Sequence, residues 1–226
     1  MKHLKFLLFF SLTGLGALGT LAQEMKYPPV SEYLMPRDAE IALAKSAAPD
    51  NISGKATIKV LTASGFQVAH EGDNGFVCLV MRGFGAPTFT PTDLRNLVYD
   101  AKLRAPICFD PQAAQTVVPY YELRHKLGLE GKSPEEIAKS IQAAYSNGSL
   151  PKRDRVSFAY MWSANQILGP AGHWHPHMMV FSPNYETSML GANMASDPGP
   201  FVTDDAGTPL AVVVIRVDES FAIKAR

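Results

Sequence analysis

The sequence predicts an α+β fold: a single domain whose mainly antiparallel sheet is formed by N-terminal and C-terminal strands, with three to four helices packed on it. Three observations carry this prediction. Segments with β-like alternation or continuous Val/Ile content fall at 56–82 and again at 156–217. Helical spacing and capping signals fill the stretch between them, and strands do not alternate regularly with helices as a doubly wound parallel fold would require.

The elements follow in chain order. Lys2 and Lys5 precede the apolar run Phe6 to Leu21, which closes on the small residues Thr20 and Ala22, so residues 1–22 are expected to be a secretory signal peptide. The run is shorter than the roughly 20 residues a spanning helix needs, so no membrane anchor is expected after cleavage. The remaining chain, 23–226, is expected to be one globular domain in a secreted or periplasmic location. Residues 23–36 contain three prolines and read as an extended arm; Arg37 to Ala47 reads as a short helix. Ala56 to Thr62 and Phe66 to His70 alternate as strands, and the Gly72-Asp73-Asn74-Gly75 turn leads into a third, Phe76 to Arg82. An antiparallel meander is expected there. Thr92 can cap a helix to Lys102, with Leu94, Leu97, Val98 and Ala101 at helical spacing.

Asp110 and Pro111 read as the cap and first residue of a helix running toward Gly128, with Pro119 kinking or splitting it. Near its end His125, within Arg124-His125-Lys126, reads as positive charge complementing the helix dipole. Ser133-Pro134-Glu135-Glu136 is a capping box, followed by Ile137, Ile141, Ala144 and Tyr145 on one helical face. Val156 to Ser163, His177 to Ser182 and Leu210 to Val217 read as strands, the last apolar enough to be covered on both faces. Apart from the middle strand, the region 163–209 holds six prolines and five glycines and reads as a long loop region of the functional kind.

Charge and composition exclude several classes. The chain of 226 residues has 21 Lys+Arg against 21 Asp+Glu, and no basic cluster exceeds Lys152-Arg153, so a nucleic-acid role lacks its electrostatic footprint. Removing residues 1–22 takes away two lysines, leaving 19 basic against 21 acidic groups, a charge of −2. Hydrophobic residues at 46% exclude a disordered polymer. Cys78 and Cys108 are the two cysteines, and export makes a disulfide the economical expectation. A catalytic thiol fits poorly in the apolar run Phe76 to Met81, where burial raises a thiol's pKa.

Common catalytic patterns fail. The GxGxxG at Gly14 to Gly19 lies inside the leader, with no strand before it. SxxK at Ser149 to Lys152 sits in a loop without a following KTG, and neither GxSxG nor HExxH is present.

What remains is Gly172-His173-Trp174-His175-Pro176-His177. Pro176 pushes His175 toward extended backbone, where residues two apart project to one face, so His173, His175 and His177 are expected to line one side. Neutral imidazoles in that pattern suit a transition metal, zinc or copper. A third imidazole from the same strand reaches the ion less easily than two, so a complete site would need another ligand, with His70 and Glu71, or Asp204 and Asp205, as candidates. Trp162, Trp174, Tyr160, Tyr185, Asn165 and Asn184 could line a small-ligand pocket nearby. The alternative for the histidines is packing as amphipathic rings bonded to backbone carbonyls.

The sequence therefore leaves three functions standing: an exported module binding a transition metal or small ligand through the histidine segment, a metal-dependent hydrolase-like enzyme using the same histidines, or a metal-free interaction protein.

Overall fold

A computed structural model describes residues 27–84, 89, 99–168, 172–191, 199–203 and 205–226. The leader 1–22 and most of the 92–102 segment lie outside the described residues. The short helix α1 (Val30–Tyr33) leads to α2 (Arg37–Lys45) and the single turn α3 (Asp50–Ser53). Strands β1 (Thr57–Thr62), β2 (Gly65–His70), β3 (Val77–Gly83) and β4 (Asp100–Phe109) follow. Then come α4 (Pro111–Thr116), α5 (Val118–Leu129) and α6 (Pro134–Ser146). The chain closes with β5 (Ser157–Met161), β6 (His177–Phe181), α7 (Thr187–Leu190), β7 (Phe201–Val202) and β8 (Val212–Arg216), and a 3₁₀ turn at Glu219–Phe221.

These strands form one sheet in the order β2-β1-β3-β4-β5-β6-β8-β7. The N-terminal strands make one half and the C-terminal strands the other, joined where Cys108 and Phe109 pair with Tyr160 and Ala159. The α+β class and mainly antiparallel pairing stand.

Two details correct the expectation. There is no meander: β2 pairs antiparallel with β1, but β3 lies on the other side of β1 and parallel to it, Thr57 opposite Val77. The connection from His70 passes the start of β1, where Gly72 N–H donates to Thr57 Oγ1 at 3.1 Å and Asp73 N–H to Lys55 O at 2.9 Å. A side chain on Gly72 would stand 2.3 Å from the Lys55 carbonyl oxygen, so only glycine fits this crossing. Second, Asp100 to Lys102, expected to be helical, belongs to the strand β4. The strand is buried at Leu103 and then continuously from Ala105 to Phe109, an apolar run whose signal Pro106 obscures in the sequence. Between Ala105 and Ile107 the strand is laddered to β3 alone, which leaves room for a proline.

Local signals set the helices. Asp110 caps α4, its carboxylate accepting from Ala113 N–H at 2.7 Å. The expected break at Pro119 occurs at Val117, with Pro119 in the first turn of α5. Ser133 and Glu136 form the reciprocal capping box of α6.

Helices cover both faces of the sheet's N-terminal half. Leu43 and Ala44 of α2, with Ala47 and Ala48 just after it, pack on Ile58, Cys78, Val80 and Cys108. On the other face Leu79, Ile107, Phe109, Ala159 and Met161 pack against Val118, Tyr121, Ile137 and Ile141 of α5 and α6. Cys78 and Cys108 are register partners on the α2 side and are joined by a disulfide.

A charged knot sits at the heart of this half. Arg82 and Glu40 are both fully buried and paired, Nη2 to Oε2 at 2.8 Å. Arg82 also donates from Nε to Tyr33 O at 2.7 Å, and Glu40 Oε1 accepts from Leu61 N–H at 3.0 Å. Burial lowers the Arg82 pKa to about 10, with Glu40 opposing, and burial raises that of Glu40 against Arg82.

His125 corrects another expectation. It is fully buried; Nε2 accepts the Arg82 N–H at 2.9 Å, so it carries no proton, while Nδ1–H donates to Tyr121 O at 2.7 Å. Burial, with the Arg124 charge, holds its pKa well below the usual range. It is a neutral linker of core backbone groups, and no helix-end cation.

Candidate functional site

The histidine segment runs into β6, which pairs with β8 so that His177 faces Arg216. Its three imidazoles occupy different surroundings. His173 is exposed and bridges Ile167 by backbone pairing alone. His175 is exposed, and its Nδ1 is paired with the Glu219 carboxylate. His177 is 3% exposed, and its Nδ1–H donates to the His175 carbonyl at 2.8 Å. The Trp174 ring stands edge-on to it at 4.5 Å. Burial depresses the His177 pKa to about 4, with the neighbouring His175 adding to the effect and the carbonyl bond opposing it. Gln166 ties the segment down by donating to the carbonyls of Trp174 at 2.9 Å and His175 at 2.8 Å.

Among the described residues no three His, Cys, Asp or Glu side chains gather closely enough to hold a metal ion. His70 ends β2, five strands from β6 across the sheet, about 24 Å at the usual spacing. Glu71 follows it there; Asp204 lies outside the described residues. Sequence reasoning missed Glu219: the β6–β8 register sets it near His175, and register between distant strands has no local signal. The aromatic residues expected to wall one pocket divide into separate packings. Tyr160 packs on Trp162 and Trp162 on Phe221, Trp174 faces Phe201 and Arg216, and Tyr185 joins the Val202 and Val213 cluster. Asn165 accepts from Ala225 N–H at 2.9 Å, and Asn184 supplies a left-handed turn at φ 62°.

A second constellation had no motif to announce it. Arg124 follows Tyr120 by four residues and Tyr121 by three on α5, so it neighbours both rings, while Tyr145 lies on α6 and Arg153 comes from the loop that follows. The Arg153 guanidinium carbon stands 5.0 Å from the Tyr120 ring centre and 5.5 Å from that of Phe181. Arg124 stands 5.7 Å from the Tyr120 centre and 5.1 Å from that of Tyr121. Both cations therefore ride on the same phenol ring.

What distinguishes this place is unmet hydrogen-bonding capacity. Among the described residues, Nε and Nη2 of Arg153 and Nε of Arg124 are buried without a well-formed hydrogen bond, and the Tyr145 hydroxyl lies beside the Arg153 guanidinium. Arg153 is 8% exposed. Among the described residues neither arginine forms an ion pair with a carboxylate. Asp205, buried nearby, acts on Arg124 electrostatically and accepts the Phe89 N–H at 2.6 Å. Burial raises the Tyr121 pKa to about 12 against the pull of Arg124, and raises that of Tyr145 against Arg153. Both phenols stay protonated and able to donate at neutral pH. An unmet buried donor costs about 1–3 kcal/mol, more when charged, so the three guanidinium nitrogens clustered here are groups that water or a ligand would stabilise.

Comparison with protein-family models, with curated proteins and with solved structures returns no match.

Proposed function

We propose that the protein is an exported binding module for a small organic anion, a carboxylate- or phosphate-bearing compound, held between Arg124 and Arg153. The observation that carries this reading is the group of buried guanidinium donors on Arg153 and Arg124 that meet no partner among the described residues, with Tyr145 beside them. Guanidinium groups match carboxylate and phosphate oxygens in geometry and charge, and the phenols supply aromatic walls and a neutral donor. Asp205 reduces the local charge from +2 to +1, which suits a monoanionic group. Export is supported by the Cys78–Cys108 bridge, since such bonds persist in oxidising compartments, and by the leader-like residues 1–22.

The metal-binding and hydrolase readings draw on the histidine segment, where, among the described residues, His175 pairs with Glu219 and no third ligand joins them. Calorimetric titration separates the readings. The probes are inorganic phosphate, citrate and benzoate in one series, zinc and copper salts in another. At least one anion is expected to bind saturably to the wild type. Arg153→Gln should lose about tenfold or more in affinity, and Tyr145→Phe a smaller factor, consistent with the worth of a charge-assisted bond. Absence of anion binding, or equal binding by Arg153→Gln, overturns the proposal. Metal binding abolished by His175→Ala would move the site to the histidine segment.

A further inference from the structure

The chain contains two Asn-Gly pairs, Asn74-Gly75 and Asn147-Gly148, and the fold holds them differently. An asparagine followed by glycine sets an electrophile beside a nucleophile, because no Cβ shields the next amide nitrogen from the side-chain carbonyl carbon. Whether the two meet depends on what restrains each.

Asn74 is half-buried and tied through both ends of its amide. Its Nδ2 donates to Ile52 O at 2.8 Å, its Oδ1 accepts the Phe76 N–H at 3.0 Å, and Gly75 lies against Pro111. Turning this side chain onto Gly75 would strip the Ile52 carbonyl of its donor. Asn147, by contrast, is exposed at the C-cap of α6. Its Oδ1 accepts twice from one residue, from Ser149 N–H at 2.9 Å and Ser149 Oγ–H at 2.6 Å, whereas Nδ2 has no partner among the described residues. The Gly148 N–H reaches Tyr145 O only at 3.4 Å. The nucleophile is weakly held and the leaving group is free.

We propose that Asn147 is a modification site, deamidated by attack of the Gly148 nitrogen with water as the co-reactant. The Gly148 nitrogen gives its proton to solvent and bonds to Asn147 Cγ. As that bond forms, Oδ1 takes up negative charge, and the two Ser149 donors already aimed at it act as a small oxyanion hole. Collapse then breaks the Cγ–Nδ2 bond, and the nitrogen leaves as ammonia with a proton returned from solvent. Water opens the resulting cyclic imide at either carbonyl and leaves aspartate or isoaspartate at position 147. Ring closure turns the Asn147 Cα–C bond away from its ψ of 0°, and the bond this gives up is the long one from Gly148 N–H to Tyr145 O. Gly148, at φ 78°, follows the helix and leaves the turn free to adjust.

The products bear on the helix. A carboxylate at 147 stands on the negative end of the α6 dipole, and isoaspartate lengthens the backbone leading to Leu150, whose N–H donates to Ala144 O at 3.0 Å. Faster hydrogen exchange at Leu150 is expected in the modified protein.

The test holds purified protein warm at mildly alkaline pH and follows both asparagines by peptide mapping, with electron-transfer fragmentation to separate isoaspartate from aspartate. In folded protein Asn147 should lose its amide about tenfold or more faster than Asn74, and urea denaturation should erase the difference. Ser149→Ala, which keeps the N–H donor and removes the hydroxyl, should slow Asn147 about two- to fivefold in the folded protein. An intact Asn147, equal rates at the two sites in folded protein, or a rate unmoved by Ser149→Ala would each overturn the proposal.

Discussion

Lowering the pH should remove a definable share of stability through His177. The folded protein holds this imidazole neutral down to about pH 4, whereas an unfolded chain protonates it at the ordinary 6.5. The sign follows from proton counting. Below 6.5 the unfolded state takes up a proton that the folded state refuses, so stability present above 6.5 is lost as pH falls toward 4. Between pH 7.5 and 4.5 these two values imply a loss of about 2.5 kcal/mol from this one group. Urea denaturation at both pH values measures it, with His177→Asn as the reference. Asparagine keeps an N–H near the position of Nδ1, so the bond to the His175 carbonyl is retained while titration is removed. Carboxylates titrate in the same interval but do so in both proteins. The wild type should therefore lose about 2.5 kcal/mol more than the variant over that interval. Equal pH dependence of the two would refute the argument that burial keeps His177 uncharged.

Three further outcomes follow from the packing. Glu40→Gln leaves the Arg82 guanidinium charged and uncompensated in the core and should destabilise by about 3–5 kcal/mol in chemical denaturation; the double change Glu40→Met/Arg82→Met should cost much less, and an equal cost would show that the pair is not the reason. Replacing both Cys78 and Cys108 by alanine opens a 30-residue loop and should cost about 3–4 kcal/mol, read as a lower urea midpoint. Gly72→Ala forces a methyl group against the Lys55 carbonyl and should cost about 1–3 kcal/mol, with faster hydrogen exchange at Thr57 and Asp73; a neutral effect would show that the crossing yields easily.

The parts legible in the sequence are those whose cause lies within a few residues. Asp110 before Pro111, and Ser133 with Glu136, announce their helix starts because the capping groups and the amides they satisfy are neighbours in the chain. The strands β1, β5, β6 and β8 were visible in their apolar patterns, and the Cys78–Cys108 bridge followed from counting two cysteines in a chain expected to be exported. The histidine segment was equally visible, but spacing alone could not say that Nδ1 of His177 would turn to a backbone carbonyl and that of His175 to Glu219.

The candidate anion site was invisible for the complementary reason. Arg153 reads as one more loop cation, and only the stacking of α5 and α6 on the sheet buries its donors beside Tyr120 and Tyr145. Local sequence thus determined where helices begin, which residues are apolar, and that two cysteines could meet. Tertiary structure decided the parallel placement of β3, the neutrality of His125 and the gathering of Arg124 and Arg153 around Tyr120. Each of those depends on contacts between residues far apart in the chain, and solvent exclusion, which sets both charge state and hydrogen-bond need, is a property of the assembled core.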